Sequence, residues 1–317
     1  MLRIGLQQIV VTLNDRHLKY NKSAVIFLTI INLMSPAISV ITVVRDDLEG
    51  LKITAKSIVS QNFDGFEWLI VDGFSTDGTW EYAQKLKSHP FVSLSQTTPK
   101  GIYAAMNCGA RQSSGTWLWF INAGDVLLGD HILKEMAGIA KVNADVSIIA
   151  SPVVYLTPSQ RYYSLSIPKV IVRESSKYAI FHHQGCILNG VIFSQVGGFD
   201  ETLRFAADGK LIDLMISISD SAIVPTVAVG FEMGGATSKN FWHSLNEIRI
   251  YRQQVLTKRG MVFYQIKETF RSLMLKIDKT SIGRSWLAPY LQKREKSILY
   301  SAKLMGLEMP RQHRVIG

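Results

Sequence analysis

Between Ile38 and Asp125 the chain alternates short apolar runs with segments of helical spacing. The β-branched run Ile38 to Val44 is typical of a buried parallel strand, and apolar residues follow at mostly helical spacing from Leu48 to Gln61. Repeated strand and helix alternation predicts a mostly parallel α/β sheet with right-handed crossovers, and therefore helices that flank the sheet.

The same patterns predict the remaining elements. Strands are expected over Phe66–Val71, Phe91–Ser95, Trp117–Ile121, Asp145–Ala150, Val153–Leu156, Cys186–Leu188 and Ala222–Val229, and helices over Gly78–Lys87, Gly101–Arg111, His131–Lys141 and Asp208–Ile218. From Trp242 onward the pattern is helical and basic.

Polar, glycine-bearing loops follow two of these strands. The second strand runs into Asp72-Gly73, and the fourth runs into Asn122-Ala123-Gly124-Asp125. Ligands of open α/β sheets bind outside the carboxyl ends of the strands. The two acidic loops therefore predict a polar ligand that brings a metal ion.

The charge of the protein is unevenly distributed. Residues 1–240 hold 20 Lys+Arg and 20 Asp+Glu, whereas residues 241–317 hold 15 Lys+Arg and 5 Asp+Glu, which is the whole net charge of +10. A neutral body with a basic end favours an anionic partner: a membrane, a nucleic acid or a phosphorylated acceptor. A solvated helical face is the structural alternative.

The apolar stretch in the amino-terminal segment is too short to span a membrane. Its most apolar stretch, Ala24–Met34, has eleven residues, where a span needs roughly 18 or more. Residues 1–33 are interpreted as an extension, with Met34 as a hypothetical natural start. Only two cysteines, Cys108 and Cys186, occur and they lack metal-ligand spacing, which fits a reducing compartment.

Short motifs follow one another in a fixed order: Ile38–Val44, Leu69–Thr79 (LIVDGFSTDGT), Gly101–Asn107 (GIYAAMN), Phe120–Asp125 (FINAGD), and then His183-Gln184, Gly197–Glu201 (GGFDE) and Ala207-Asp208. Together they resemble family 2 glycosyltransferases, most closely the bacterial subgroup that builds exopolysaccharide and O-antigen repeat units. The resemblance spans about residues 36–235. It implies a GT-A fold, in which a Rossmann-like nucleotide-binding half merges with an acceptor-binding half, and an inverting transfer from a nucleotide-sugar donor.

The resemblance also implies a domain division. We expect an extension over residues 1–35, a GT-A domain over 36–240 and a basic helical region over 241–317.

Asp125 is the expected metal ligand. It matches the last acidic position of the family's Asp-x-Asp motif, while Ala123 occupies the first, so one carboxylate is present rather than two. A divalent cation such as manganese or magnesium prefers oxygen ligands and stabilises a diphosphate leaving group as a Lewis acid. The structural alternative for Asp125 is a loop or helix-cap aspartate.

Two aspartates and one strand end are expected to contact the nucleotide. By resemblance, Asp72 accepts a hydrogen bond from the base, since an ionised carboxylate is an acceptor only and uracil N3–H is a donor; turn formation with Gly73 is the alternative. The backbone of Thr42 to Val44 is expected to line the base. Asp77 is assigned to the donor site, with helix capping as an equal alternative.

Lys100 and Gly101 precede the third helix and are expected to meet the donor diphosphate, because a helix N-terminus attracts anions; an exposed lysine is the alternative. One position in the following motif differs from the family pattern: family members usually have Asp where this chain has Ala104. That change bears on recognition of the donor sugar.

Asp208 matches the position of the family's general base, the group that takes the proton of the acceptor hydroxyl. An ordinary helix N-cap is its alternative. His183 and Gln184 are expected to contact acceptor or phosphate, and a buried structural histidine is the alternative for His183.

The leading hypothesis is a metal-dependent inverting glycosyltransferase with a UDP-linked donor, GDP- and dTDP-sugars remaining open. Its acceptor is expected to be a lipid-linked saccharide, and residues 241–317 are expected to hold the protein peripherally on the anionic cytoplasmic face of the inner membrane.

Several alternatives are disfavoured. No Gln-x-x-Arg-Trp motif is present, which disfavours a processive synthase. The alternative is a non-catalytic scaffold homologue, motivated by Ala104 and Ala123. Nucleic-acid binding is disfavoured because few aromatics interleave with the charges, and a nucleotidyltransferase is disfavoured as well.

Overall fold

The computed structural model describes residues 35–98, 100–156, 162–166, 168–173, 176–232 and 241–255. Its strands are β1 (Ile38–Val44), β2 (Phe66–Asp72), β3 (Val92–Gln96), β4 (Trp117–Phe120), β5 (Val126–Leu127), β6 (Ile148–Ala150), β7 (Val153–Leu156), β8 (Tyr162–Ser166), β9 (Lys169–Arg173), β10 (Ser176–Ile180), β11 (Cys186–Asn189), β12 (Ser221–Ile223) and β13 (Val229–Glu232). Its helices are α1 (Leu48–Val59), α2 (Thr79–Leu86), α3 (Ile102–Gln112), α4 (Ile132–Val142), α5 (Gly190–Gln195), α6 (Ala207–Ile218) and α7 (Phe241–Val255), with a 3-10 turn at His183–Gly185.

Strand β1 is the centre of the main sheet. The sheet has seven strands in the order β12-β6-β11-β4-β1-β2-β3, and β1 pairs in parallel with β2 on one side and β4 on the other. All seven residues of β1 are buried. The register places Val44 beside Asp72, so the loops after β1, β2 and β4 emerge at one edge. The predicted, mostly parallel α/β sheet is confirmed.

One polar side chain joins these three strands inside the core. The Thr42 hydroxyl donates to the Ile121 carbonyl at 2.6 Å and accepts a hydrogen bond from Trp68 Nε1 at 2.9 Å. Thr42 is fully buried, and an unpaired hydroxyl there would carry a desolvation penalty. The contact therefore ties the ends of β1 and β4 to β2.

The second half of the chain differs from the sequence prediction. The single strand expected over Ala222–Val229 is wrong, because β12 joins β6 in the main sheet whereas β13 pairs with β7 and β5 in a separate four-stranded sheet. Strand β11 is antiparallel to both β4 and β6. Strands β5, β8, β9 and β10 and helix α5 were not predicted; they are short, and their apolar residues show no extended periodicity.

The ends of the chain enter the description only in part. Helix α7 confirms a helix in the first part of the basic segment, while residues 256–317 and the predicted extension 1–33 lie outside the described residues. Within the described part of the chain, no helix is long and apolar enough to cross a membrane.

A buried asparagine fastens the Gly-Gly-Phe-Asp-Glu turn to helix α3. Asn107 accepts a hydrogen bond from the Phe199 N–H at 2.9 Å, and its amide donates to the Phe199 carbonyl at 2.8 Å and to Glu201 Oε1 at 2.9 Å. Gly198 has a φ of 73° and approaches so closely that a Cβ there would lie 2.7 Å from Asn107 Oδ1. Two motifs that are distant in sequence therefore form one unit.

Asn107→Ala is expected to lower the free energy of unfolding by about 2 kcal/mol, because it leaves the Phe199 N–H and carbonyl without partners in the core. Urea denaturation measures this change. Gln112→Ala, at an exposed position of the same helix, is the control and should change stability by less than about 0.5 kcal/mol. Equal midpoints for Asn107→Ala and the parent protein would contradict the role of this clamp.

Candidate active site

A pocket of about 690 Å³ opens at the carboxyl edge of β1 and β2. Its walls are formed by the end of β1, by Gly73, by the start of α3 and by the segment 201–205 that precedes α6. Val44, Lys100 and Gly101, which the sequence analysis assigns to the donor site, line this pocket, and Arg45 lines it too. The side chain of Thr42 is part of the core described above. The loop that brings Gly101 to the pocket has a φ of 116° at this residue, a conformation that favours glycine.

Asp72 combines one satisfied oxygen with one unsatisfied oxygen beside this pocket. Oδ2 accepts hydrogen bonds from the Ser75 N–H at 3.0 Å and from Gln96 Nε2 at 2.9 Å. Oδ1 is buried and has no hydrogen-bond partner within the described structure. A buried acceptor without a partner carries a free-energy cost that a donor group on a ligand would remove.

Asp77 lies outside the residues that line the pocket, and both of its oxygens contact the protein. Oδ1 accepts from the Thr79 N–H at 3.0 Å, and Oδ2 accepts from the Leu48 N–H at 3.1 Å. The hydrogen bond from the Thr79 hydroxyl is the main cause that lowers the pKa of Asp77. The geometry accounts for Asp77 as a support for the starts of α1 and α2.

The Asn122–Asp125 turn is tied to helix α1 by a buried threonine. The Thr54 hydroxyl donates to the carbonyls of Asn122 and Asp125 at 3.0 and 2.7 Å. Within the turn, the Asn122 N–H donates to Asp125 Oδ2 at 2.9 Å. Gly124 permits the turn because its φ of 92° is unfavourable for other residues. The turn therefore holds the Asp125 carboxylate in a fixed orientation.

Asp125 is a carboxylate in an unfavourable place for a charge. Only 6% of its surface is exposed. Burial raises its pKa to about 7, against a smaller lowering by His183 and the Asn122 N–H. A cation at this position would hold the carboxylate in its ionised form.

The surroundings of Asp125 offer a second oxygen ligand. Asn122 Oδ1 is buried and has no hydrogen-bond partner in the part of the chain that the structure describes, and Asn122 Nδ2 lies 3.4 Å from His183 Nε2. Among the described residues no group of three or more His, Cys, Asp or Glu side chains could enclose an ion. The residues present fit a hard cation that takes one carboxylate and one amide oxygen from the protein and its other ligands from water or a phosphate.

Asp208 is held by three donors. The Tyr103 hydroxyl and the Gly209 N–H donate to Oδ1 at 3.1 and 2.9 Å, and His183 Nδ1 lies 3.0 Å from Oδ2. Burial acts to raise the pKa of Asp208, but His183 and the other donors outweigh burial and lower it below its usual value of 3.8. Asp208 is not the N-cap of α6, a position that Ala206 takes, so helix capping does not explain it.

His183 lies between the Asn122–Asp125 turn and Asp208, since one ring nitrogen approaches Asn122 and the other approaches Asp208. Gln184 contributes its backbone carbonyl, which accepts a hydrogen bond from Trp119 Nε1 at 2.7 Å. This bond anchors the turn that carries His183 onto β4. Burial lowers the pKa of the neighbouring His182 to about 4, so that residue is neutral at physiological pH.

Three site residues were missed by the sequence analysis: Tyr103, Gln96 and Asn122. Tyr103 belongs to a recognised motif, but helical spacing alone gave it no role beyond packing. Asn122 stands out in the sequence only as part of its loop, and Gln96 comes directly after the predicted strand Phe91–Ser95 with no distinguishing pattern. Their roles depend on contacts over 24 to 105 residues of sequence.

Comparison with known proteins identifies the class. The model of glycosyl transferase family 2 matches residues 39–197, and this chain belongs to that family. An uncharacterized glycosyltransferase of Mycobacterium tuberculosis is 26% identical over 210 residues, which cover 64% of this chain and 78% of the relative. The UDP-Glc:alpha-D-GlcNAc-diphosphoundecaprenol beta-1,3-glucosyltransferase WfaP of Escherichia coli is 27% identical over 99 residues, 31% of this chain and 39% of WfaP.

Solved structures confirm the GT-A fold. Staphylococcus aureus TarS 1-349 in complex with UDP-GlcNAc superposes with a TM-score of 0.55 at 16% identity, covering 71% of this chain and 69% of that one. The mannosyltransferase PcManGT of Pyrobaculum calidifontis, in complex with GDP-Man and Mn2+, superposes with a TM-score of 0.50 at 18% identity, covering 74% and 65%.

Asp125→Asn is expected to stabilise the metal-free protein more at pH 8 than at pH 5. Because the folded pKa of about 7 exceeds the usual 3.8, the native state binds the proton more tightly, and stability is lost as pH rises through the folded pKa. The difference between the variant and the parent should grow by on the order of 2 kcal/mol between the two pH values.

Urea denaturation with a chelator present measures this difference. The exposed Asp145→Asn is the matched control for the loss of a carboxylate. A pH-independent effect of Asp125→Asn would refute the raised pKa.

Proposed function

We propose that this protein is an inverting glycosyltransferase that moves a sugar from a UDP-linked donor to a lipid-linked saccharide in the synthesis of a surface polysaccharide. The observation that carries the proposal is the environment of Asp208: a carboxylate with a lowered pKa, held by Tyr103 and His183 next to a pocket that Tyr103 itself lines. Such a group is ionised at neutral pH and can accept a proton.

Asp208 is the general base of the proposed reaction. Burial raises the pKa of the Tyr103 hydroxyl above its ordinary range, so the hydroxyl stays protonated and donates to Asp208. The side chain of Asp208 is 30% exposed, which leaves room for an acceptor hydroxyl. In an inverting transfer, that hydroxyl loses its proton to Asp208 as its oxygen attacks the anomeric carbon opposite the leaving diphosphate.

Asp72 supports a pyrimidine or guanine nucleotide as the donor's leaving group. Its buried Oδ1 lacks a donor among the described residues, and uracil N3–H, thymine N3–H or guanine N1–H would supply one. Lys100 and Arg45 add positive charge to the neighbouring pocket, and Gly101 precedes a helix whose N-terminus favours phosphate. The structural neighbour TarS binds UDP-GlcNAc. This similarity favours UDP over GDP and dTDP as the nucleotide of the donor.

Asp125 and Asn122 are the residues that would hold a divalent cation, with manganese or magnesium as candidates. When bound with the donor, the ion would supply Lewis-acid stabilisation of the departing diphosphate. The missing first carboxylate at Ala123 makes the donor phosphates necessary ligands, so metal and nucleotide are expected to bind together.

The acceptor is proposed from chemistry and from one relative. WfaP is named as acting on a diphosphoundecaprenol-linked sugar. Arg204 lines the pocket and offers a charge for a phosphorylated acceptor. The basic end of the chain, within residues 241–317, favours attachment to the anionic cytoplasmic face of the inner membrane.

Asp208→Asn is expected to reduce transfer by about 100-fold or more, because the amide cannot take the proton. Nucleotide affinity should stay within about twofold, since the amide has nearly the shape of the carboxylate. Release of UDP during transfer and calorimetric UDP titration measure the two quantities, with the exposed Asp145→Asn as the control. Loss of UDP binding by Asp208→Asn would place Asp208 in the donor site instead.

Calorimetric titration with UDP, GDP and dTDP, each with and without manganese, tests the donor assignment. UDP is expected to bind roughly tenfold tighter with manganese, a gain of about 1.4 kcal/mol, and Asp125→Ala should remove that gain. Manganese enhancement that persists in Asp125→Ala would exclude Asp125 as a ligand. No binding of any nucleotide would favour the non-catalytic scaffold that Ala104 and Ala123 suggest.

Deletion of residues 256–317 should release the protein from vesicles that contain anionic lipid. The segment holds 13 Lys+Arg and 4 Asp+Glu, and each basic residue near an anionic surface contributes roughly 1 kcal/mol. Cosedimentation at low and high salt measures attachment, with neutral vesicles as the control. Unchanged sedimentation of the shortened protein would move the attachment to another part of the chain.

A further inference from the structure

One carboxylate receives hydrogen bonds from three successive backbone N–H groups in front of helix α6. Glu247 Oε1 accepts from Arg204 at 3.0 Å, and Oε2 accepts from Phe205 at 2.7 Å and from Ala206 at 3.1 Å. Glu247 lies on α7, more than 40 residues further along the chain. The helix start has no side-chain cap of its own, and a carboxylate is favourable near a helix N-terminus.

The segment that Glu247 holds belongs to the active site. Arg204 and Phe205 line the pocket, and Ala206 is separated from Asp208 by the single residue Ala207. Ala206 and Ala207 are both buried. A shift of the Arg204–Ala206 backbone, which Glu247 binds, would therefore also displace Asp208, the proposed base.

A second contact fixes α7 itself against α6. The Tyr251 hydroxyl and Arg252 Nε lie 3.3 and 3.2 Å from Asp213 Oδ2, while the Ala179 N–H donates to Oδ1 at 3.0 Å. Gly209 faces the same helix, since a Cβ there would come within 2.9 Å of the Tyr251 hydroxyl oxygen. Helix α7 thus contacts the segment before Asp208 through Glu247 and helix α6 after Asp208 through Tyr251 and Arg252.

We propose that Glu247 is a positioning residue, which sets the backbone of Arg204–Ala206 and through it the orientation of the Asp208 carboxylate. The inference rests on the proposed function and extends it to a helix outside the family match at 39–197. Hydrogen bonds to a charged acceptor are roughly twice as strong as neutral ones. A small displacement of a reacting group is costly, because about 1 Å can change a rate by 100-fold.

The test compares Glu247→Gln and Glu247→Ala with the full-length protein. Glutamine keeps the shape but offers one acceptor oxygen and no charge; alanine offers neither. Hydrogen–deuterium exchange at the amides of Arg204–Ala206 should become faster in both variants. We expect kcat to fall about 10-fold in the glutamine variant and further in the alanine variant, while the UDP dissociation constant changes by less than about twofold.

Two control variants separate this role from loosening of α7. Asn246→Ala changes the exposed neighbour of Glu247 and should leave both exchange and kcat unchanged. Arg252→Gln weakens the Asp213 contact and leaves Glu247 in place. If Arg252→Gln, at equal thermal stability, lowers kcat as much as Glu247→Gln, helix docking explains the loss and the proposal is overturned.

The remaining outcomes are also decisive. Unchanged exchange at Arg204–Ala206 in Glu247→Ala would overturn the contact, and faster exchange with an unchanged kcat would overturn its effect on Asp208. If the parent protein binds UDP but transfers no sugar, the proposed function fails, and the catalytic part of this proposal fails with it. Faster amide exchange in the Glu247 variants would then still support Glu247 as the cap of α6.

Discussion

Parallel pairing of β1 with both β2 and β4 is the constraint on which the site depends. Because the three strands run in the same direction, the loops that follow them share one edge, and residues far apart in sequence reach a common region. The buried Thr42 hydroxyl reinforces this arrangement by bridging β4 and β2. Slippage of β1 by one residue would turn Thr42 away from both partners and shift Val44 from Asp72.

The site itself is a set of polar groups held in apolar surroundings at a cost to stability. Among the described residues, Asp72 and Asn122 each keep a buried oxygen without a partner, and Asp125 is a buried carboxyl group whose pKa is raised. In each case the backbone around the group is hydrogen-bonded in its strand or turn. The desolvation cost is therefore confined to one atom. Stability is given up at the atoms where a ligand would bind, and the rigid frame keeps those atoms from rotating to other partners.

The sequence predicted the first half of the fold well because each element there is a strong local signal. The β-branched run of β1 and the helical spacing of α1 need no tertiary context. The second half depends on tertiary contacts. In the sequence, β12 and β13 read as one continuous strand, but in the structure they pair in different sheets.

The same distinction applies to the site. Asp72, Asp125 and Asp208 stand in recognisable motifs, whereas the roles of Tyr103, Asn107 and the carboxylate on α7 arise from side chains that reach across the fold. Spacing along the chain carries no record of such contacts. Asp77 shows the opposite case, in which a motif residue has its oxygens engaged by neighbouring N–H groups.

The contact between α6 and α7 has a consequence for how such proteins can exchange parts in evolution. The family match ends at residue 197, before the proposed base, and the helix that holds the base's backbone begins only at Phe241. A natural recombinant or an artificial chimaera joined between Asp208 and Phe241 would combine a base from one parent with a supporting helix from another, whereas a junction at residue 197 takes both from the same parent. A functional exchange between relatives is therefore expected only when the crossover falls before Arg204 or after Val255, so that α6 and α7 are inherited as a pair.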